Sequence, residues 1–287
     1  MFDIFIPTYD KHDEQLKILI RSLTKNLSFS DVESVNICNV GSIESYELVR
    51  SEMQSMAFPT ELSVFDSGLL SCGPPNTRGW LRQQVAKLKF SEISTTEYYL
   101  VLDTKNILLE PLKLSSLLKR DRMPCIPSKV SFHPKWWRGA VWALGHSSFD
   151  MSDDGNVFGS ITPAFFHRDT VRKMLEFMER RHEMTFQDFF LKRRYLRHRY
   201  MRPTEFTLYY CFLDLTNQFR EVHYWSTDLI DGASQIWRKH SDQELQERVQ
   251  RIIDGETKQI FTGIHHPAWN RIPAPMKANL EAVFLPL

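Results

Sequence analysis

Short apolar runs alternate with longer stretches of helical spacing over the first hundred positions. Phe2–Ile6 is apolar and stops at Pro7; Val35–Val40 stops at Gly41; Leu62–Phe65 and Tyr98–Leu102 each stop at an aspartate. Between the first two runs, Leu16, Leu19, Ile20, Leu23 and Leu27 recur at three- and four-residue intervals. The pattern predicts strands at 2–6, 35–40, 62–65 and 98–102, and helices over 13–27, 42–56 and 80–90. A loop over 67–79 carries Gly68, Gly73, Gly79, Pro74 and Pro75 and breaks the alternation. Strands separated by helices predict an α/β fold with a mostly parallel sheet. In such sheets ligands bind beyond the carboxyl ends of the strands. That rule selects 7–13, 66–79 and 103–106 before any motif is considered.

The texture changes near 110–125. Trp136, Trp137 and Trp142 cluster, 157–161 is β-like, 169–182 reads as a helix, and another helix starts at Thr204. The remainder reads as loose strands and loops. The expected organisation is one continuous domain with two halves, 1–120 and 121–287. Large aromatics are more often core than ligand platforms, and the three tryptophans are assigned to the core.

Composition narrows the classes. Apolar residues make up 42% and charged residues 25% of the 287, ordinary for a globular chain and incompatible with disorder. Lys and Arg number 36 against 35 Asp and Glu, so no global field draws the chain to nucleic acid or membrane. No apolar run approaches the roughly 18 residues that span a bilayer. The start FDIFIP lacks a basic leader region. Cys38, Cys72, Cys125 and Cys211 form no CxxC and read as reduced thiols. These features lead to the expectation of a cytoplasmic globular protein.

Candidate chemistry gathers at the strand exits. Asp103 ends the fourth strand, in YYLVLDTKN, where a carboxylate either holds a hard cation or caps a turn. Trp80, Gln83, Gln84 and Lys87 share one helix face by spacing. Asp13 precedes an apolar periodic run and is expected to N-cap its helix. Thr204 is expected to cap the next helix, with Glu205 in the first turn, where the helix dipole favours a carboxylate. Six Lys or Arg fall within Lys192–Arg202, interleaved with aromatics. Such a run is commonly a solvated face.

Residues 2–23, 79–88, 98–111, 161–176 and 203–211, in order, resemble a bacterial family of GT-A-type glycosyltransferases. Many members of that family are known only as domains of unknown function, and they often lie among genes for surface-polysaccharide synthesis. The resemblance implies a GT-A-like, Rossmann-type domain with a helical or irregular acceptor-side C-terminal part. It implies transfer of a sugar, hexosyltransferase-like and inverting, from a nucleotide-diphosphate sugar to a hydroxyl acceptor. GT-A enzymes commonly end the fourth strand in Asp-x-Asp, which holds Mn²⁺ or Mg²⁺. Here Lys105 replaces the second aspartate, followed by Asn106. An ammonium has no lone pair, so weakened or absent metal dependence is expected, with Asp103 on the ribose or sugar and His265 (or His266) as a late metal or phosphate partner.

By the same resemblance, Pro7, Thr8, Tyr9 and Asp10 meet the nucleoside. Arg78, Gln83, Gln84, Lys87, Asp103, Lys105 and Asn106 complete the donor site, with a cation near the phosphates. Asp103, Lys105 and Glu205 are the catalytic candidates, Glu205 as the base that deprotonates the acceptor. Arg194, Arg197, Arg202, Thr204 and Glu205 form the acceptor side. The basic run suits an anionic glycan or lipid-linked acceptor, with peripheral contact at the inner membrane. Nucleic acid, modified by a related transfer, is the alternative partner. A non-catalytic nucleotide- or glycan-binding relative is the alternative class.

Overall fold

The computed structural model describes residues 1–10, 12–54, 58–74, 76–152, 158–196, 203–230 and 235–285, with backbone alone for 192–196. The first half alternates as expected: β1 (Phe2–Thr8), α1 (Asp13–Asn26), β2 (Val32–Asn39), α2 (Ile43–Gln54), β3 (Glu61–Asp66), α3 (Gly79–Lys89) and β4 (Tyr98–Val101). Short strands β5 (Asn106–Leu108) and β6 (Met123–Cys125) follow. The second half holds α4 (Pro134–Leu144), β7 (Ala164–His167), α5 (Arg168–His182), α6 (Phe186–Leu196), α7 (Glu205–Leu215) and the single turn α8 (Phe219–Val222). It closes with β8 (His223–Trp225), β9 (Gln235–Ile236), α9 (Asp242–Ile253), β10 (Phe261–Ile264), the one-turn α10 (His266–Trp269) and α11 (Ala274–Val283).

The central sheet has the order β3-β2-β1-β4-β7. The first four strands are parallel and β7 runs antiparallel against β4. Every residue of β1 is buried, because helices cover both faces of the strand and its neighbours flank it. Successive crossovers carry the chain from β1 outward to β3; it then returns to β4 on the other side of β1. The order reverses between β1 and β4, which places the crevice of the sheet at their carboxyl ends.

Two smaller sheets attach the C-terminal part. β10 pairs antiparallel with β5 and parallel with β9, while β6 pairs with β8. One core cluster runs from Phe2 through Phe166 and Tyr209 to Phe261. A second gathers Ile18, Ile107, Leu245, Val249, Trp269 and Leu280. α9, α10 and α11 thereby pack against Ile18 of α1 and Ile107 of β5. All four cysteines are buried and free.

Three expectations need correction. Residues 158–161 form no strand. There Gly159 lies flat on the backbone, and a Cβ on it would sit 2.8 Å from Ile126 O. The C-terminal region is substantially helical, because Leu245, Val249 and Ile252 give α9 a buried stripe and Ser241 and Glu244 close its start in a capping box. His12, not Asp13, occupies the N-cap of α1, which shifts Asp13 into the first turn. No helix among the described residues is long and apolar enough to cross a membrane.

Candidate active site

A cleft of about 350 Å³ opens at the β1/β4 crevice. Tyr9 and His12 enter it from the end of β1, Asp103, Thr104 and Lys105 from the end of β4, and Trp80, Gln83, Gln84 and Lys87 from α3. Thr204, Glu205 and Phe206 at the start of α7 form the opposite side, and His265 and His266 close one end. The four α3 residues placed on one face by their spacing thus do face a single space. Gly79 lets α3 start against Tyr9, since a Cβ there would lie 3.3 Å from the tyrosine ring.

The turn after β4 is braced from beneath. Asn106 N–H donates to Asp103 O at 2.9 Å, and Asp103 N–H donates to Asn106 Oδ1 at 2.9 Å. Asn106 Nδ2 donates to Thr162 O at 3.2 Å. β10 locks the outer side, where Ile264 N–H donates to Lys105 O at 2.9 Å. The turn therefore presents the side chains of Asp103 and Lys105 to the cleft on a fixed backbone.

Four charged side chains form a chain across the floor. Lys87 Nζ lies 2.7 Å from Asp103 Oδ1 and 2.8 Å from Glu205 Oε1. Lys105 Nζ pairs with Asp103 Oδ2 and donates to Thr162 Oγ1 at 3.1 Å. Thr162 in turn donates to Asp103 Oδ2 at 3.0 Å. The Lys87 and Glu205 side chains are only 5% and 4% exposed, so their pairing is desolvated. Burial alone would strip the proton from Lys87, but Asp103 and Glu205 outweigh it and raise its pKa above the ordinary value. Burial likewise opposes ionisation of Asp103, yet Lys105 and Lys87 hold its carboxyl well below the usual range. Each ammonium has three donors, and each uses two within the chain. Among the described residues, one N–H apiece has no hydrogen-bond partner.

Glu205 owes its position to the cap of α7. Thr207 N–H donates to Thr204 Oγ1 at 3.3 Å and Thr204 N–H donates to Thr207 Oγ1 at 2.9 Å. This reciprocal cap makes Glu205 the first helical residue, directed toward Lys87.

The other end of the cleft is aromatic and uncharged. Tyr9 packs on His12 with ring centroids 4.0 Å apart. His12 Nδ1 and Thr104 Oγ1 are 2.9 Å apart. Burial, with His266 adding to it, lowers His12 to about 4. His265 stacks on Trp237 at 3.7 Å and bonds Gln235 Oε1 through Nε2 at 3.0 Å. Burial, then Lys105, lowers His265 to about 3. Gln15, His133 and Trp136 also line the space, the last two stacked at 3.8 Å.

Of the expected site residues, Tyr9, Gln83, Gln84, Lys87, Asp103, Lys105, Thr204, Glu205 and His265 meet at this cleft. Five expected donor-site residues lie outside it. Pro7 is enclosed within β1. Asp10 turns away and accepts from Ser42 N–H at 2.6 Å. Arg78 is exposed ahead of α3. Asn106 is buried beneath the turn it braces, as 0% exposure requires. Thr8 is also fully buried at the strand end. The side chain of Arg194, and all of Arg197 and Arg202, lie outside the described residues. Trp137 is core and Trp142 packs on Phe189, as assigned, but Trp136 reaches the cleft. Sequence reasoning missed His12, Gln15, Thr104, Thr162 and Trp237. His12 alone had a local signal, a histidine just beyond the end of a buried strand.

A divalent cation does not fit these residues. Both Asp103 oxygens already accept from ammonium groups, and His265 Nε2 is engaged by Gln235. No group of three or more His, Cys, Asp or Glu that could hold a metal exists among the described residues.

Several solved structures are similar to this chain at low identity. Mouse xyloside xylosyltransferase 1, in its apo form, is 8% identical over 91% of this chain and 97% of its own, with a TM-score of 0.48. The galactosyltransferase LgtC, in complex with donor and acceptor sugar analogs, is 12% identical over 98% and 95%, with a TM-score of 0.48. The glycosyltransferase GlyE of Streptococcus pneumoniae TIGR4 is 12% identical over 99% of this chain but 60% of its own, with a TM-score of 0.46. No curated protein matches the sequence. A family model matches residues 8–271, and the chain therefore belongs to the family of unknown function DUF6492.

Proposed function

We propose that this protein transfers a sugar from a nucleotide-diphosphate sugar to a hydroxyl acceptor. The observation that carries the reading is the pair of ammonium groups, Lys87 and Lys105, fixed on either side of Asp103 in a cleft at the sheet's switch point. The five segments in register with GT-A-type transferases support it independently.

In the transfer, an acceptor oxygen bonds to the anomeric carbon as the bond from that carbon to the phosphate oxygen breaks. The electron pair leaves on the diphosphate. Preorganised cations aimed at that developing charge stabilise the transition state. Lys87 and Lys105 have one N–H each for this purpose, and Asp103 orients both. Glu205 Oε1 is held by Lys87. Its second oxygen takes the acceptor proton, the role that an inverting displacement asks of a carboxylate on the acceptor side. No step requires a metal. Residues 1–120 hold the nucleotide and 121–287 build the acceptor side. The basic run 192–202 favours an anionic glycan or lipid-linked acceptor, an argument from sequence alone.

Thermal unfolding across a panel of nucleotide sugars, with Mn²⁺ and with EDTA, tests the proposal. A ligand present at a hundred times its Kd stabilises the fold by about 2.7 kcal/mol. One nucleotide sugar is expected to raise the unfolding temperature, and nucleotide release in the presence of acceptor is expected to persist in EDTA. Failure of every nucleotide sugar to bind refutes the proposal. Binding without release identifies a non-catalytic module. Complete loss in EDTA, restored by Mn²⁺, removes the metal-free step.

A further inference from the structure

Gln15 on α1 and Gln84 on α3 both line the cleft, yet each keeps its Oε1 buried without a hydrogen-bond partner among the described residues. They are 4% and 2% exposed. Their amide orientation follows from chemistry. Gln84 Nε2 donates to Trp80 O at 3.2 Å, and Gln15 Nε2 donates to Ile264 O at 2.7 Å. A backbone carbonyl only accepts, so each nitrogen must face its carbonyl and each oxygen must point elsewhere. Both positions therefore hold an amide oxygen that lacks a donor. Folded proteins leave few buried polar groups unpaired, and those that remain call for an explanation.

Their placement supplies one. Gln84 lies on α3 one turn before Lys87. Gln15 lies on α1 one turn after His12, whose Nε2 is likewise buried without a partner, and is bonded to the end of β10 beside His265. A phosphate, ionised and accepting only, cannot pair with either amide oxygen. A ligand rich in hydroxyls would bring donors.

We infer that Gln15 and Gln84 recognise sugar hydroxyls, each amide oxygen accepting one, while Lys87 and Lys105 hold the anionic part of the ligand. The inference rests on the glycosyl-transfer reading and divides the cleft by chemistry. The amides select a hydroxyl-bearing ring and the ammoniums select its phosphate. Gln15 and Gln84 are thus specificity-determining residues.

Gln15→Met and Gln84→Met remove the acceptors at nearly constant volume. Thermal unfolding is measured without ligand, with UDP or GDP, and with UDP-glucose, UDP-galactose, UDP-N-acetylglucosamine or GDP-mannose. Saturation-transfer NMR with the methyl glycosides of the same four sugars gives a nucleotide-free arm. The variants also lose the Nε2 bonds to Ile264 O and Trp80 O, so each is expected to unfold somewhat earlier without ligand, and binding is read against its own unliganded unfolding. Their affinity for the sugar-bearing probe that binds the wild type is expected to fall about ten- to hundredfold, with affinity for the nucleotide alone unchanged. Variants that bind the sugar as the wild type does, whether or not they unfold earlier, overturn the inference. If the wild type ignores every nucleotide and nucleotide sugar but binds a methyl glycoside in a glutamine-dependent way, the donor reading fails and this inference stands. If it binds no sugar in any form, the inference is wrong.

Discussion

Lys87 is the residue on which the charged chain turns, because it alone touches both Asp103 and Glu205. Replacing it with Met leaves the Glu205 carboxylate buried without its cation. Removing one partner of a buried pair costs about 3–5 kcal/mol. Lys87→Met is therefore expected to lower stability by that order in urea unfolding, beyond any loss of activity. Glu205→Gln behaves differently. The amide oxygen still accepts from Lys87, so stability is expected to stay within about 1 kcal/mol of wild type, as neutral hydrogen bonds net about that much. Turnover is expected to fall about 10²- to 10⁴-fold, the contribution of a general base. A folded Glu205→Gln protein with near-normal turnover would remove the base assignment. The types and positions of these groups were legible in sequence. Their mutual pairing was not, since 118 positions separate Lys87 from Glu205.

At the scale of elements, the start of α7 forms one side of the cleft. Its cap, Thr204 with Thr207, fixes the start of the helix, and the carboxylate it positions, Glu205, is the next residue. Thr204→Ala is expected to cost about 1 kcal/mol of stability through loss of the cap. It is also expected to reduce turnover with donor affinity unchanged, because Glu205 is the residue the cap orients. Equal turnover in a protein of measurably lower stability would separate cap from chemistry. The helical spacing of α3 specified its cleft face before any coordinates, because an i, i+3, i+4, i+7 set lies on one side of any α-helix. The strand expected at 157–161 failed for the complementary reason. Apolar character marks burial, and only a neighbouring strand in register turns burial into pairing.

For the molecule as a whole, buried neutral histidines set the acid limit. His223 is 0% exposed; its Nδ1–H donates to Met123 O at 3.1 Å and its Nε2 accepts from Tyr209 O–H at 2.8 Å. Burial lowers it to about 3, as it lowers His265 to about 3 and His12 to about 4, from an ordinary 6.5. Below pH 6.5 the unfolded chain takes up protons that the folded chain refuses. The stabilisation is thus complete above about pH 6.5 and is lost progressively as pH falls toward 4 and then 3. His223 alone contributes about 1.4 kcal/mol per pH unit across that window. Urea unfolding at pH 7 and pH 5 is expected to show lower stability at pH 5, with a shallower dependence in His223→Gln. Equal stability at the two pH values would contradict the buried neutral state.

The sequence by itself determined the α/β class, the parallel strands β1 to β4 and the crevice where they end. Periodicity is a local property, and the rule for ligand position follows from strand direction. It also placed a lysine two positions beyond Asp103, at the exit of β4. Tertiary structure alone decided that Asp103 spends both oxygens on Lys87 and Lys105, that Asp10 and Asn106 serve the scaffold, and that Gln15 and His12 share a wall with residues 250 positions away. Those outcomes depend on which side chains meet across crossovers. A chain read in one dimension carries the identity of each group but not the distance between groups.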